Sequence, residues 1–162
     1  MVKKQILYVM GVSGSGKSTI GKLLANKLQI PFFDGDDFHP EANVKKMKAG
    51  HPLNDDDRQG WLEKLNEVAI ENLATGAVIV CSSLKKKYRT ILSKNLEDKH
   101  KFVYLEGSFD LIDKRLSARK NHYMPAGLLQ SQFDILEVPL EAITVSIDQE
   151  PNDIVKDIMR KL

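Results

Sequence analysis

A single cysteine, Cys81, stands in the chain of 162 residues, so no internal disulfide and no cysteine-based zinc site can form. That usage fits a reducing compartment, and the expected location is the cytoplasm. Neither sign of charge dominates. Lys and Arg number 24 against 22 Asp and Glu, a formal +2, which gives no electrostatic reason to expect a nucleic-acid partner. No run approaches the ~20 apolar residues that cross a bilayer, so no membrane role is expected. The basic start and the apolar run Ile6–Met10 superficially suggest a signal peptide. The run is too short for one, however, and leads directly into a glycine-rich motif. Repeats and low-complexity linkers are lacking too, so residues 1–162 are read as one unit. The chain is 42% hydrophobic and 28% charged, which excludes a disordered or fibrous protein.

Strand-like and helix-like stretches alternate, as expected of an α/β domain with a parallel sheet. Residues 5–10 and 77–81 are nearly continuous apolar runs, the pattern of strands covered on both faces. Residues 31–34, 102–105 and 143–147 complete five strands. Helical spacing predicts helices over 17–28, 41–49, 55–73, from about 85, 108–119, 128–136 and from Pro151 onward. Ser108 is the expected N-cap of the fifth helix, and Pro151 suits the first turn of the last. The polar stretch 120–127, with Pro125, reads as a loop.

Residues 11–18 read GVSGSGKS, a full match to the phosphate-binding pattern G-x-x-x-x-G-K-[ST] between a strand and a helix. Gly11, Gly14 and Gly16 let the backbone turn so that N–H groups converge on phosphate oxygens. Lys17 can bring its charge to the β- and γ-phosphates and Ser18 a hydroxyl to Mg²⁺. The helix N-terminus adds a favourable dipole. The nucleotide-binding stretch is therefore Gly11, Val12, Ser13, Gly14, Ser15, Gly16, Lys17, Ser18 and Thr19, and ATP is the expected nucleotide. The third strand ends in Cys81-Ser82-Ser83 without a carboxylate. Carboxylates stand instead after the second strand, in FFDGDDFHP. Of Asp34 and Asp36, one could orient Mg²⁺ or its waters while the other faces an acceptor hydroxyl.

Downstream, His39, Asn43, Lys46, His51, Asn54, Asp57 and Arg58 crowd within twenty residues. Arg58 suits a carboxylate or phosphate through its planar fork, with His39 and Lys85 as alternatives. In the run Lys85-Lys86-Lys87-Tyr88-Arg89, Lys86 and Lys87 read as a solvated helix face. Arg115 and Arg119 lie four apart on one helix face, at the root of the polar loop, where an arginine could close over ATP.

These residues carry a resemblance to the gluconokinases, small P-loop kinases related in fold to shikimate and adenylate kinases. The likeness runs through GVSGSGKS, DGDDFHPEANVKKMKAGHPLNDDDR with Trp61-Leu62, CSSLKKKYR and RLSARKNHYMPAGLLQSQFDILE. It implies a P-loop NTPase fold: a five-stranded parallel sheet in the order 2-3-1-4-5 flanked by helices. An acceptor-binding region at about 38–75 and a lid at about 120–136 go with it. ATP and Mg²⁺ are implied as cofactors, D-gluconate as acceptor, 6-phospho-D-gluconate as product, and a homodimer as the assembly. Carried over by position, Lys17, Asp36 and Arg119 are the catalytic residues, with Arg119 the lid arginine. Ser18 and Asp34 serve the metal, Asp36 the acceptor hydroxyl, and Arg115 flanks the adenine. Gln59-Gly60, Ser83 and Tyr123 depart from the family pattern without removing a catalytic group. Two other readings stay open at this point: a related kinase acting on shikimate or a nucleoside monophosphate, and a protein that binds ATP without turnover. Intact Lys17, Ser18 and Asp36 argue against the second.

Overall fold

The structure, a computed structural model, describes residues 3–118 and 126–162. Its sheet contains β1 (Ile6–Met10), β2 (Phe32–Asp34), β3 (Ala77–Val80), β4 (His100–Glu106) and β5 (Ile143–Ser146). All four pairings are parallel, in the order β2-β3-β1-β4-β5 that the resemblance implied. Around it lie α1 (Lys17–Leu28), α2 (Glu41–Lys48), α3 (Asp55–Glu71), α4 (Lys86–Leu92), α5 (Phe109–Ser117), α6 (Ala126–Ile135) and α7 (Pro151–Lys161).

Every residue of β1 is buried because the strand is central and covered on both faces. Side chains alternate across a strand, so Leu7 and Val9 face one apolar layer and Ile6 and Tyr8 the other. The first layer takes Ile20 and Leu24 of α1, Ile112 and Leu116 of α5, and Ile154, Val155 and Ile158 of α7. Burying each such aliphatic side chain contributes about 1.5–3 kcal/mol. The second layer takes Trp61, Leu62 and Leu65 of α3 with Tyr88 and Leu92 of α4. Cys81 joins this layer, where burial pushes its thiol up to about 11 and keeps it protonated, as a core cysteine should be.

Most elements end within two residues of the sequence expectation, two start two residues early, and one turn was not expected. β4 opens at His100 rather than at 102, because His100 and Lys101 pair with Ile6 and Leu7 through backbone groups indifferent to side-chain polarity. α6 opens at Ala126 rather than 128. A 3₁₀ turn, Gly35–Phe38, follows β2, with Asp34 accepting from the Asp36 N–H at its start. The Ser108 side chain accepts from the Leu111 N–H, as its N-cap role required. Arg119, Tyr123 and the stretch 119–125 of the expected lid lie outside the described residues.

Parallel strands place every C-terminal end on one edge of the sheet, where the loops after β1, β2 and β3 meet. That edge is where open α/β sheets gather their ligands.

Candidate active site

The loop after β1 turns through Gly14 (φ 82) and Gly16 (φ 93), and Gly16 caps α1 in the left-handed region without a side-chain cap. The first N–H groups of α1 therefore have no side-chain acceptor and stand as an anion site with the helix dipole behind them. Gly14 is required for a second reason. A Cβ there would lie 2.7 Å from Leu116 Cγ, so the loop packs onto α5 only with glycine. Ser15 is 1% exposed, and its hydroxyl has no partner among the described residues. Val12 belongs to the core, and Thr19 is exposed on the first turn of α1. Lys17 Nζ donates to the Val12 carbonyl at 3.0 Å, folded against its own loop. Burial lowers its pKa, partly offset by Asp36, Cys81 and Asp34.

Asp34 links the acidic turn to this loop. Its Oδ2 accepts from Ser18 Oγ at 3.0 Å and its Oδ1 from the Asp36 N–H at 3.0 Å. Gly35 between the two carboxylates is a matter of close approach: a Cβ would meet the Val80 carbonyl at 2.4 Å. Trp61 Nε1 donates to the Gly35 carbonyl at 2.7 Å, so α3 also holds this turn. The Asp36 side chain remains 85% exposed. Reduced solvation in the cleft and then the like charge of Asp34 push its pKa up, against the pull of His39 and Lys17.

His39 stacks on Trp61 with ring centroids 4.1 Å apart. Asn43 Nδ2 donates to the Asp57 carbonyl at 2.8 Å, which fixes the amide's orientation. The same nitrogen lies 3.3 Å from His39 Nδ1, so Nδ1 accepts and Nε2 carries the proton. Nε2 faces Asp36 Oδ1 at 3.8 Å. Burial lowers the His39 pKa, in keeping with a neutral ring.

The remaining acceptor candidates meet at the first turn of α3. Arg58 Nη1 donates to the Tyr88 hydroxyl at 3.2 Å and lies 4.0 Å from Asp55 Oδ1. Lys85 donates to Asp55 Oδ1 at 3.4 Å. Lys87 reaches Asp55 Oδ2 from the solvated face of α4 that the sequence suggested, its side chain 57% exposed. Arg89 is a strut, donating to the carbonyls of Ser83 and Glu137. Arg115 donates to the Ile147 carbonyl at 2.6 Å, just past β5, and so stands with the α5–β5 side of the edge rather than with this cluster.

Two contacts had no flag in the sequence reading. Gln132 of α6 receives the Ser13 N–H on Oε1 at 2.8 Å and donates from Nε2 to Ser13 Oγ at 3.0 Å. Tyr88 joins Asp55 to Arg58. A lone tyrosine inside a basic run was the one available signal for Tyr88, whereas Gln132, 119 residues from Ser13, had none.

Comparison with known proteins shows the family and the fold. A shikimate kinase family model matches residues 13–159. A probable gluconokinase of Mus musculus is 46% identical, covering 97% of this chain and 97% of its own. The thermoresistant gluconokinase of Escherichia coli (strain K12) is 45% identical, covering 89% of this chain and 85% of its own. Among solved structures, a gluconokinase from Sinorhizobium meliloti 1021 superposes with a TM-score of 0.89 at 37% identity, over 98% of this chain and 92% of its own. Shikimate kinase from Aquifex aeolicus, at 18% identity and a TM-score of 0.62 over 97% and 95% of the two chains, shares the fold.

Proposed function

The chain belongs to the gluconokinase family, and from that membership we propose that it transfers the γ-phosphoryl group of ATP to the 6-hydroxyl of D-gluconate. The products are 6-phospho-D-gluconate and ADP. One observation carries the reading: an exposed carboxylate, Asp36, beside the phosphate loop, with a cluster of cations at the far end of α3's first turns. Gluconate has a matching polarity, a reacting hydroxyl at one end and a carboxylate at the other.

In this reading, the loop 11–19 cradles the phosphates through those of its backbone N–H groups that are not already donated within the protein, as Ser13's is to Gln132. Lys17 swings from the Val12 carbonyl to the β- and γ-oxygens. The transition state is loose, so most of the work is positioning and charge stabilisation. Asp36 aligns the 6-hydroxyl and accepts its proton as the oxygen bonds to phosphorus and ADP departs. Neutral His39, stacked on Trp61, turns its protonated Nε2 toward the Asp36 side of the cleft at 3.8 Å and lines the acceptor site there. Arg58, with Lys85, takes the acceptor's carboxylate. Arg115 flanks the adenine, and Arg119 is the lid arginine that closes over the transferring group. Residues 1–162 act as one kinase unit, with 38–75 as the acceptor region and 120–136 as the lid.

The donor set suits Mg²⁺: a hydroxyl and a carboxylate oxygen 3.0 Å apart, hard ligands of the kind that ion shares with substrate phosphates and water. Ser18 and Asp34 would hold it, and chelation should abolish turnover. When bound with ATP, Mg²⁺ neutralises charge on the phosphoryl oxygens. A homodimer, readable by sedimentation, and a cytoplasmic location, readable by cell fractionation, complete the proposal. No helix among the described residues is long and apolar enough to cross a membrane.

Coupled ADP release measured with gluconate, shikimate, AMP and water as acceptors tests the reading. Turnover with gluconate alone is expected. Preference for shikimate or AMP, or ATP binding without turnover, would replace it.

A further inference from the structure

Three cations, Arg58, Lys85 and Lys87, converge on the one carboxylate of Asp55, leaving the group with excess positive charge. Partly exposed ion pairs contribute little to stability, so folding alone gives no reason to gather them. At their centre stands Tyr88, 5% exposed, on α4. Its ring lies under both cations, 5.5 Å from the Arg58 guanidinium and 5.5 Å from Lys85 Nζ. The direction of its hydrogen bonds follows from the partners. An ionised carboxylate only accepts and a guanidinium only donates. The hydroxyl therefore donates to Asp55 Oδ1, at 2.5 Å, and accepts from Arg58 Nη1.

We propose that Tyr88 is a positioning residue for the acceptor: anchored by Asp55, it holds Arg58 and Lys85 on its ring and hydroxyl as a preset pair of cations facing the acceptor's carboxylate. This rests on the reading that Arg58 meets that carboxylate. A free arginine must surrender rotamer freedom when it binds, and one already seated surrenders less. The aromatic face adds cation–π attraction without neutralising either charge, as a second carboxylate would. Burial and the neighbouring Asp55 raise the Tyr88 pKa, so its hydroxyl keeps its proton throughout the working range. Lys87, on Asp55 Oδ2, balances the anchor from the other side.

The test is a double-mutant cycle of Tyr88→Phe and Arg58→Ala, with KM for gluconate, KM for ATP and kcat measured for each protein. Phenylalanine keeps the ring and removes the hydroxyl. Tyr88→Phe should raise the gluconate KM about three- to tenfold, the worth of one such hydrogen bond, with little change in ATP KM or kcat. With Arg58 already alanine, the same substitution should change gluconate KM less than twofold, because its effect passes through Arg58. Asp55→Asn, which stands in if Tyr88→Phe does not fold, also unpairs Lys85 and Lys87, so it is read in the parent background by its split. Gluconate KM should move by about twofold or more with ATP KM and kcat little changed, and an unmoved gluconate KM would overturn the proposal. Equal effects in the two backgrounds would overturn the proposal, as would a matching rise in ATP KM or an unchanged gluconate KM in Arg58→Ala. A parent protein without gluconate-dependent ADP release would overturn the functional reading itself, and it is told apart because the parent then fails before any variant is compared.

Discussion

Asp36 and Asp57 are carboxylates of one wall with opposite pH behaviour. Asp36 has a folded-state pKa raised by partial desolvation at the cleft wall and by Asp34, but its carboxylate stays largely in solvent, so folding disfavours its ionised form only weakly. Its penalty is absent below the unfolded value of about 3.9 and complete above the folded one. Asp36→Asn should therefore raise the melting temperature slightly at neutral pH, with the gain vanishing in acid. The same variant should lose about a hundredfold or more in kcat while still binding ATP, since an amide cannot take the proton. A kcat within a few fold of the parent would make Asp36 an orienter rather than a base. Asp57 runs the other way: Lys46 and then the Asn54 N–H hold its pKa down. Its stabilising contribution is present above the unfolded value and lost as pH falls through the folded one. Asp57→Asn should melt below the parent at neutral pH, and the two curves should converge as the pH is lowered. Melting curves from pH 7 into acid check both signs.

Helix α6 reaches the phosphate loop through Gln132, whose two hydrogen bonds to Ser13 tie the described part of the expected lid to the cradle. Gln132→Ala should raise the KM for ATP about two- to tenfold, as one or two ordinary hydrogen bonds would, and leave the gluconate KM nearly unchanged. Equal rises for both substrates would point to a general loosening instead. This contact also marks where sequence reading stops. Lys17, Ser18 and Asp34 were legible because their chemistry is written in local spacing, next to strands whose apolar runs admit few alternatives. Ser13 lay inside that motif, but its partner sits 119 residues away on a helix whose pattern speaks only of its own packing. The 3₁₀ turn after β2 escaped notice because its hydrogen bond comes from the Asp34 side chain rather than from any periodicity. Lys87 is exposed as its run suggested, but a lysine run shows no sign of which member meets Asp55 across two helices.

At the scale of the whole molecule, nucleotide binding and fold stability can be separated. The core layers are built from β1, β3, β4 and β5 with α1, α5, α6 and α7 on one side and α3 and α4 on the other, and Lys17 contributes to neither of them. Its ammonium rests on one carbonyl of its own loop, and burial works against its charge in the absence of an anion. Lys17→Ala should thus fold and melt close to the parent, or slightly above it. A ligand that binds only the folded state stabilises by about 2.7 kcal/mol at a hundred times its Kd. For a chain of this size each kcal/mol shifts the midpoint by roughly 2–4 °C, so a non-hydrolysable ATP analogue with Mg²⁺ should raise the parent's Tm by about 5–11 °C. At the same analogue concentration, Lys17→Ala should show little of that rise, because the shift follows ligand occupancy rather than the integrity of the sheet. A full shift in Lys17→Ala would mean that the backbone N–H groups and helix dipole hold the phosphates without the lysine, confining its charge to the transfer step. A lowered Tm without ligand would mean instead that the lysine braces the loop, and the loss of activity in that variant would then report on structure before chemistry.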